Sequence, residues 1–186
     1  MQSLMSGVGR WAVAASQAQV LQSTFVRILC ASWFVVVAAQ CKVPLGLVPM
    51  TMEDWAVMVV ALAMPWREAL GVVLLFLGYA VLGLPVLSTG AVGYAVLAGP
   101  TAGYLAGFVL MAGFIGIAAQ HLAVSGFWGR FGVVVLGNIL LYMAGVGFLG
   151  CLVGWEQALA MGLWPFVGAV PVKAALAAAV ATRGLH

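Results

Sequence analysis

The stretch from Leu82 to Phe108, LGLPVLSTGAVGYAVLAGPTAGYLAGF, constrains this chain more than any other. It closes one apolar segment, runs through a connection rich in glycine and proline, and opens the next apolar segment at Tyr104. Between Pro85 and Pro100 it carries no charged residue. A connection standing in water would be polar. Irregular backbone this apolar is tolerated beside a bilayer only where it is buried in protein or lines a cavity. The stretch therefore reads as one wall of a pocket, with backbone amides and a few hydroxyls as its chemistry. The alternative is an inert re-entrant connector.

Composition places that wall in a membrane. Of 186 residues 66% are hydrophobic and 6% charged, far from the soluble average. The fold class expected is an all-α membrane protein. Seven Lys and Arg against four Asp and Glu give a net charge of +3. These charges are too few and too scattered to track nucleic acid phosphates, so no nucleic-acid partner is expected. The three cysteines, Cys30, Cys41 and Cys151, have neither disulfide nor metal-ligand spacing. The chain has no GxxxxGK[ST] phosphate loop, no HExxH, no Cys-His pairing and no paired intramembrane carboxylates. No enzyme, resident cofactor or metal centre is indicated. No cleavable signal peptide is evident, because Ser16, Gln17, Gln19 and Gln22 follow Arg10 too closely.

Six apolar segments are expected, over Phe25–Gln40, Glu53–Met64, Glu68–Leu84, Gly103–Leu122, Arg130–Val153 and Trp164–Thr182. They make residues 25–186 a six-helix transmembrane domain. Residues 1–24 are a cytoplasmic N-terminal segment, in which Arg10–Ser23 forms a short interfacial helix or a frayed tail. Glu53–Met64 is short for a span of about 20 residues, and short spans mark substrate sites in transporters. Pro44 and Pro49 before it prevent a continuous helix and predict a loop dipping into the protein. Arg10, Arg27, Arg67, Arg130 and Arg183 fall on one side of this arrangement. Lys42, Glu53, Asp54 and Glu156 fall on the other. The positive-inside rule then puts both termini in the cytoplasm. Both loops, Pro44–Thr51 and Leu82–Tyr104, fall on the outer face, folded over a ligand pocket. Gly99, Gly103 and Gly107, with Gly150 and Gly154, recur every fourth residue, which suits close helix packing within the chain or, second, a homo-oligomer.

Among residues able to carry chemistry, Lys173 stands out, about two turns into the last span. A lysine there implies a function or a partner. It serves as counter-ion to an anionic ligand, pairs with an acidic side chain, or snorkels to the interface. Glu53, Asp54, Glu68 and Glu156 all fall at span ends, which favours the ligand. Asn138, in the fifth span, either binds ligand or links helices. His121 lacks an acid within reach and reads as an interface residue. Trp55, Trp128, Trp155 and Trp164 near span ends suit an aromatic belt. Thr51, Thr89, Tyr94, Thr101 and Tyr104 bring hydroxyls to the outer loops, and Lys173 a cation. A pocket so lined suits a small, mostly apolar ligand with a few polar groups.

The order of these motifs resembles the BioY family, the biotin-specific substrate-binding (S) components of energy-coupling factor (ECF) transporters. The resemblance runs from Ala39-Gln40 and Pro44 through Val48-Pro49-Met50-Thr51 and Gly83-Leu84-Pro85-Val86. It continues in Gly99-Pro100-Thr101-Ala102-Gly103-Tyr104-Leu105 and closes with Pro165-Phe166, Lys173 and an alanine-rich helix. It implies a six-helix, multi-pass component of the bacterial cytoplasmic membrane. Such a component captures biotin from outside and docks on a transmembrane coupling (T) protein driven by two ATPase subunits. The substrate-binding residues expected are Thr51, Thr89, Tyr94, Pro100, Thr101, Tyr104, Asn138 and Lys173. The chain departs from the family pattern at Val170, where an acidic residue three positions before the lysine is expected. Trp33 also interrupts the small residues Cys30, Ala31 and Ser32 expected to form the docking face. Another small vitamin-like acid as cargo, or a structural role in membrane assembly, are the alternatives.

Overall fold

Lipid offers the backbone no hydrogen-bond partners, so apolar segments satisfy their amides internally as helices. The computed structural model describes residues 22–43, 48–122 and 124–184 and is mostly helical. Helix α1 covers Gln22–Gln40. A short hairpin follows, β1 (Lys42–Val43) and β2 (Met50–Thr51), antiparallel with Lys42 opposite Thr51. Next come α2 (Glu53–Ala63), α3 (Trp66–Val81), α4 (Ala95–Ala98), α5 (Ala102–His121) and α6 (Gly126–Val153). The chain ends with α7 (Trp155–Gly162), α8 (Trp164–Val167) and α9 (Ala169–Gly184). The expected interfacial helix lies outside the described residues, except that Gln22 and Ser23 belong to α1; Pro44 lies outside them too.

By length and apolarity α1, α5 and α6 each suit a membrane crossing, and Trp155–Val167 with Ala169–Arg183 forms a fourth candidate bent by 44°. Helices α2 and α3 are shorter, at 11 and 16 residues. Pro65 separates them: Met64 before it is extended at φ −115°, ψ 156°, as a residue preceding proline prefers. The last segment differs from the continuous helix expected from Trp164. It breaks at Gly168 into α8 and α9, with Pro165 and Pro171 each in a first turn, where the missing N–H costs no helical bond. Lys173 therefore stands about one turn into its helix, not two.

Glycines set how closely the central helices approach. A Cβ on Gly103 would meet the Phe148 side chain and lie 2.6 Å from Ala144 O, and one on Gly107 would lie 2.8 Å from Leu141 O. The small residues of α5 thus face α6 within the chain. The largest buried cluster joins α1, α2, α3, α5, α6 and α9 around Phe76, Met58, Met111 and Ile115. Polar contacts fasten α1 to α3: Arg27 Nη2 donates to Glu68 Oε1 at 2.7 Å, and the Ser32 and Tyr79 hydroxyls lie 3.2 Å apart. Glu68 thus pairs with Arg27 rather than with His121.

The connection after α3 begins with a left-handed glycine. Gly83 has φ 97°, the Leu84 N–H bonds Tyr79 O at 2.9 Å, and the Gly83 N–H bonds Ala80 O at 3.2 Å. This pair of bonds caps the helix and turns the chain back over it. The Gly93 N–H then returns to Ala80 O at 2.8 Å, so the loop folds onto the end of α3 instead of reaching outward.

Candidate functional site

The two glycine- and proline-containing loops meet, as their shared face predicts. Lys42 Nζ donates to Ser88 O at 2.5 Å, and Gln40 Nε2 to Val86 O at 2.9 Å. Beneath this closure lies a cavity. Its floor and sides come from the start of α2, from α5 and α6, and from α8 and α9. Thr51, Ser88, Thr89 and Thr101 bring hydroxyls to it; Leu105, Phe108, Leu141, Tyr142 and Phe166 make the apolar wall. That balance suits a compact, largely apolar ligand fixed by a few polar groups.

Lys173 lines the cavity, and its surroundings overturn the expectation that it lacks an acidic partner. Its Nζ lies 2.8 Å from Asp54 Oδ1 and 3.1 Å from Asp54 Oδ2, and it also donates to Thr51 O at 2.5 Å. Lys173 and Asp54 are both only 6% exposed. The reason is the length of α2. Eleven residues rise about 16 Å, half of a hydrocarbon core of roughly 30 Å. An end residue of so short a helix is tucked against α9 within the protein instead of standing in water. Glu53 is buried with Asp54, and its Oε1 has no hydrogen-bond partner. The carboxylate partner of Lys173 thus comes from α2 and not from its own helix, where Val170 stands.

The other expected site residues divide. Thr51, Thr89, Thr101, Tyr104 and Lys173 line the cavity. The Tyr104 hydroxyl is committed to the fold: it donates to Gly162 O at 2.8 Å, and the ring packs where a Cβ on Gly145 would stand. Tyr94 is 88% exposed and does not line the cavity, because the turn at Gly93 (φ 62°) directs the chain outward there. Pro100 is not among the lining residues either. Asn138 is fully buried outside this cavity. Its Nδ2 donates to Val134 O at 2.9 Å and approaches Met58 Sδ at 3.6 Å, linking α6 to α2. It borders instead a groove of about 730 Å³ between α6 and the last helices, whose lining is otherwise almost wholly apolar.

Sequence reasoning missed Glu53, Asp54, Ser88, Tyr142 and Phe166 as lining residues. A signal existed for the first two: adjacent acids opening the shortest apolar segment, directly after Val-Pro-Met-Thr. For Tyr142 and Phe166 only helix rotation brings the rings inward, with centroids 5.8 Å apart.

Comparison with known proteins converges on one family. A model of the BioY family matches residues 12–186. The biotin transporter BioY2 of Lactococcus lactis subsp. cremoris is 33% identical over 144 residues, covering 76% of this chain and 79% of that protein. The biotin transporter BioY of Thermotoga maritima is 34% identical over 150 residues, covering 80% and 88% respectively. A solved S-component for biotin from an ECF-type ABC transporter shares the fold at a TM-score of 0.81 and 23% identity, over 90% of this chain and 93% of that one. The match spans the hairpin, the capped loop and the broken last helix that border the cavity, and the chain belongs to the BioY family.

Proposed function

We propose that this chain is the substrate-binding component of an ECF-type transporter and captures biotin at the outer face of a bacterial cytoplasmic membrane. One observation carries the reading within the family: the cavity beneath both loops, lined by hydroxyls, aromatic rings and the Lys173–Asp54 pair. Biotin offers an apolar bicycle, a ureido end and a carboxylate tail, and such a lining has a surface for each. Six crossings are proposed, by α1, α2, α3, α5, α6 and the bent final segment, with both termini cytoplasmic. Arg27, Arg67, Arg130 and Arg183 at one end of these helices, against Lys42 and Glu156 at the other, support that orientation. Release of cargo to the cytoplasm falls to a transmembrane coupling protein and two ATPase subunits.

Equilibrium binding of radiolabelled biotin to the purified, detergent-solubilised protein tests the reading. Saturable binding displaced by unlabelled biotin is expected. A monodisperse, thermally cooperative preparation that binds none would sink the proposal.

A further inference from the structure

The cavity's polar atoms are unequally occupied. Lys173 has three ammonium hydrogens, and three oxygens stand ready for them: Thr51 O and both carboxylate oxygens of Asp54. The Tyr104 hydroxyl is taken by Gly162 O, and Ser88 O by Lys42. The Glu53 N–H is taken by Thr51 Oγ1 at 3.3 Å. The Glu53 carboxyl group differs. It lines the same cavity, the residue is 4% exposed, and its buried Oε1 has no partner. Buried acceptors without partners are rare because each forfeits its hydration without return. A ligand-binding cavity is where such a deficit has a use, since the ligand itself supplies the missing donor.

We propose that Glu53 is the specificity-determining acceptor of this cavity, receiving the ring N–H donors of the bound ligand. This rests on the reading of the cargo as biotin, whose ureido group presents two such donors. The location also orients the ligand. The Lys173 ammonium is committed to Asp54 and Thr51, and Glu53 offers an acceptor oxygen, so this end presents no free donor to a further anion. The ureido ring therefore lies against the start of α2, and the carboxylate tail extends toward Thr89 and Thr101. Lys173 becomes a positioning residue: it holds Thr51 and Asp54 in place and has no hydrogen left for the tail.

The test is a cycle between protein and ligand, read as dissociation constants. Parent, Glu53→Met and Glu53→Gln are each titrated with biotin and with a derivative methylated on its ureido nitrogens. Methionine keeps the length of glutamate without its oxygens, and glutamine keeps one acceptor. Thermal unfolding without ligand monitors the fold. The expected result is a loss of biotin affinity of about 10- to 100-fold in Glu53→Met. Methylation should cost the parent a similar factor and cost the Met variant little more, because both changes remove one interaction. Losses that multiply independently, or a Met variant that binds biotin like the parent, overturn the role of Glu53 and leave the cargo assignment standing. A folded parent that binds no biotin overturns both. If the Met variant does not fold, Glu53→Gln decides: the gap between the two ligands must narrow when the amide replaces the carboxylate. An unchanged gap overturns the assignment.

Discussion

Lys173 Nζ and Asp54 Oδ1 sit 2.8 Å apart across 119 positions of sequence, joining the second residue of α2 to the second turn of α9. The same ammonium bonds Thr51 O, so one side chain pins the hairpin, the short helix and the last helix together. In a buried pair the penalty for removing one partner greatly exceeds the net worth of the pair, because the survivor keeps its charge without compensation.

Asp54→Leu and Lys173→Met should each destabilise the protein by roughly 3–5 kcal/mol, and the double variant should recover most of that loss. Thermal unfolding in detergent checks the stability cycle. Biotin binding is expected to weaken most in Lys173→Met, since Thr51 O then loses its anchor. A double variant no more stable than either single one would show that the pair is not what the singles disrupt.

Tyr104→Phe removes the donor to Gly162 O in a buried setting. The orphaned carbonyl should cost about 1–3 kcal/mol. Because the bond ties α5 to the end of α7, the loss should appear as earlier unfolding with the apolar wall of the cavity intact. Unchanged stability would argue that the carbonyl finds another partner.

Replacing Gly107 with Val tests the α5–α6 contact. The added carbon would begin 2.8 Å from Leu141 O, a clash with backbone that no rotamer relieves. Destabilisation of about 1–3 kcal/mol is expected from such overpacking, with Ala causing less than Val. Gly78→Ala is the matched control, since nothing lies within 4 Å of a Cβ there. Equal effects at both glycines would refute the packing account.

Lys42 closes the roof through Ser88 O, outside the apolar wall. Lys42→Ala should speed biotin release more than it slows capture, because it loosens the closed arrangement and leaves the lining unchanged. Dissociation followed after dilution into unlabelled biotin reads this directly. Tyr94→Phe should leave release unchanged, as its side chain stands in the open. A parent-like off-rate for Lys42→Ala would mean that Gln40 and the loop backbone hold the roof without it.

Much of this architecture was legible in the amino-acid order because it depends on local properties. Long apolar runs separated by Pro-Met-Thr or Gly-Pro-Thr punctuation announce helices in lipid, and α1, α2, α3, α5 and α6 begin and end within a few residues of where composition places them. The uncharged loop between Pro85 and Pro100 meets the expectation of burial only at Val86, Leu87, Ser88 and Val96, whereas Val92, Tyr94 and Leu97 stand exposed; Gly83 before it is the residue its cap requires. The motifs were also sufficient to indicate the family. Relations between distant elements were not legible. Hydropathy is indifferent to how a helix is rotated about its axis or how deep its end lies. Nothing local distinguishes Asp54 inside the protein from Asp54 at a water interface, or Asn138 linking α6 to α2 from Asn138 facing a ligand. Packing places these side chains: α2 has only 11 residues and its acidic end lies buried against α9, where Lys173 meets Asp54, while the Asn138 amide reaches from α6 to α2.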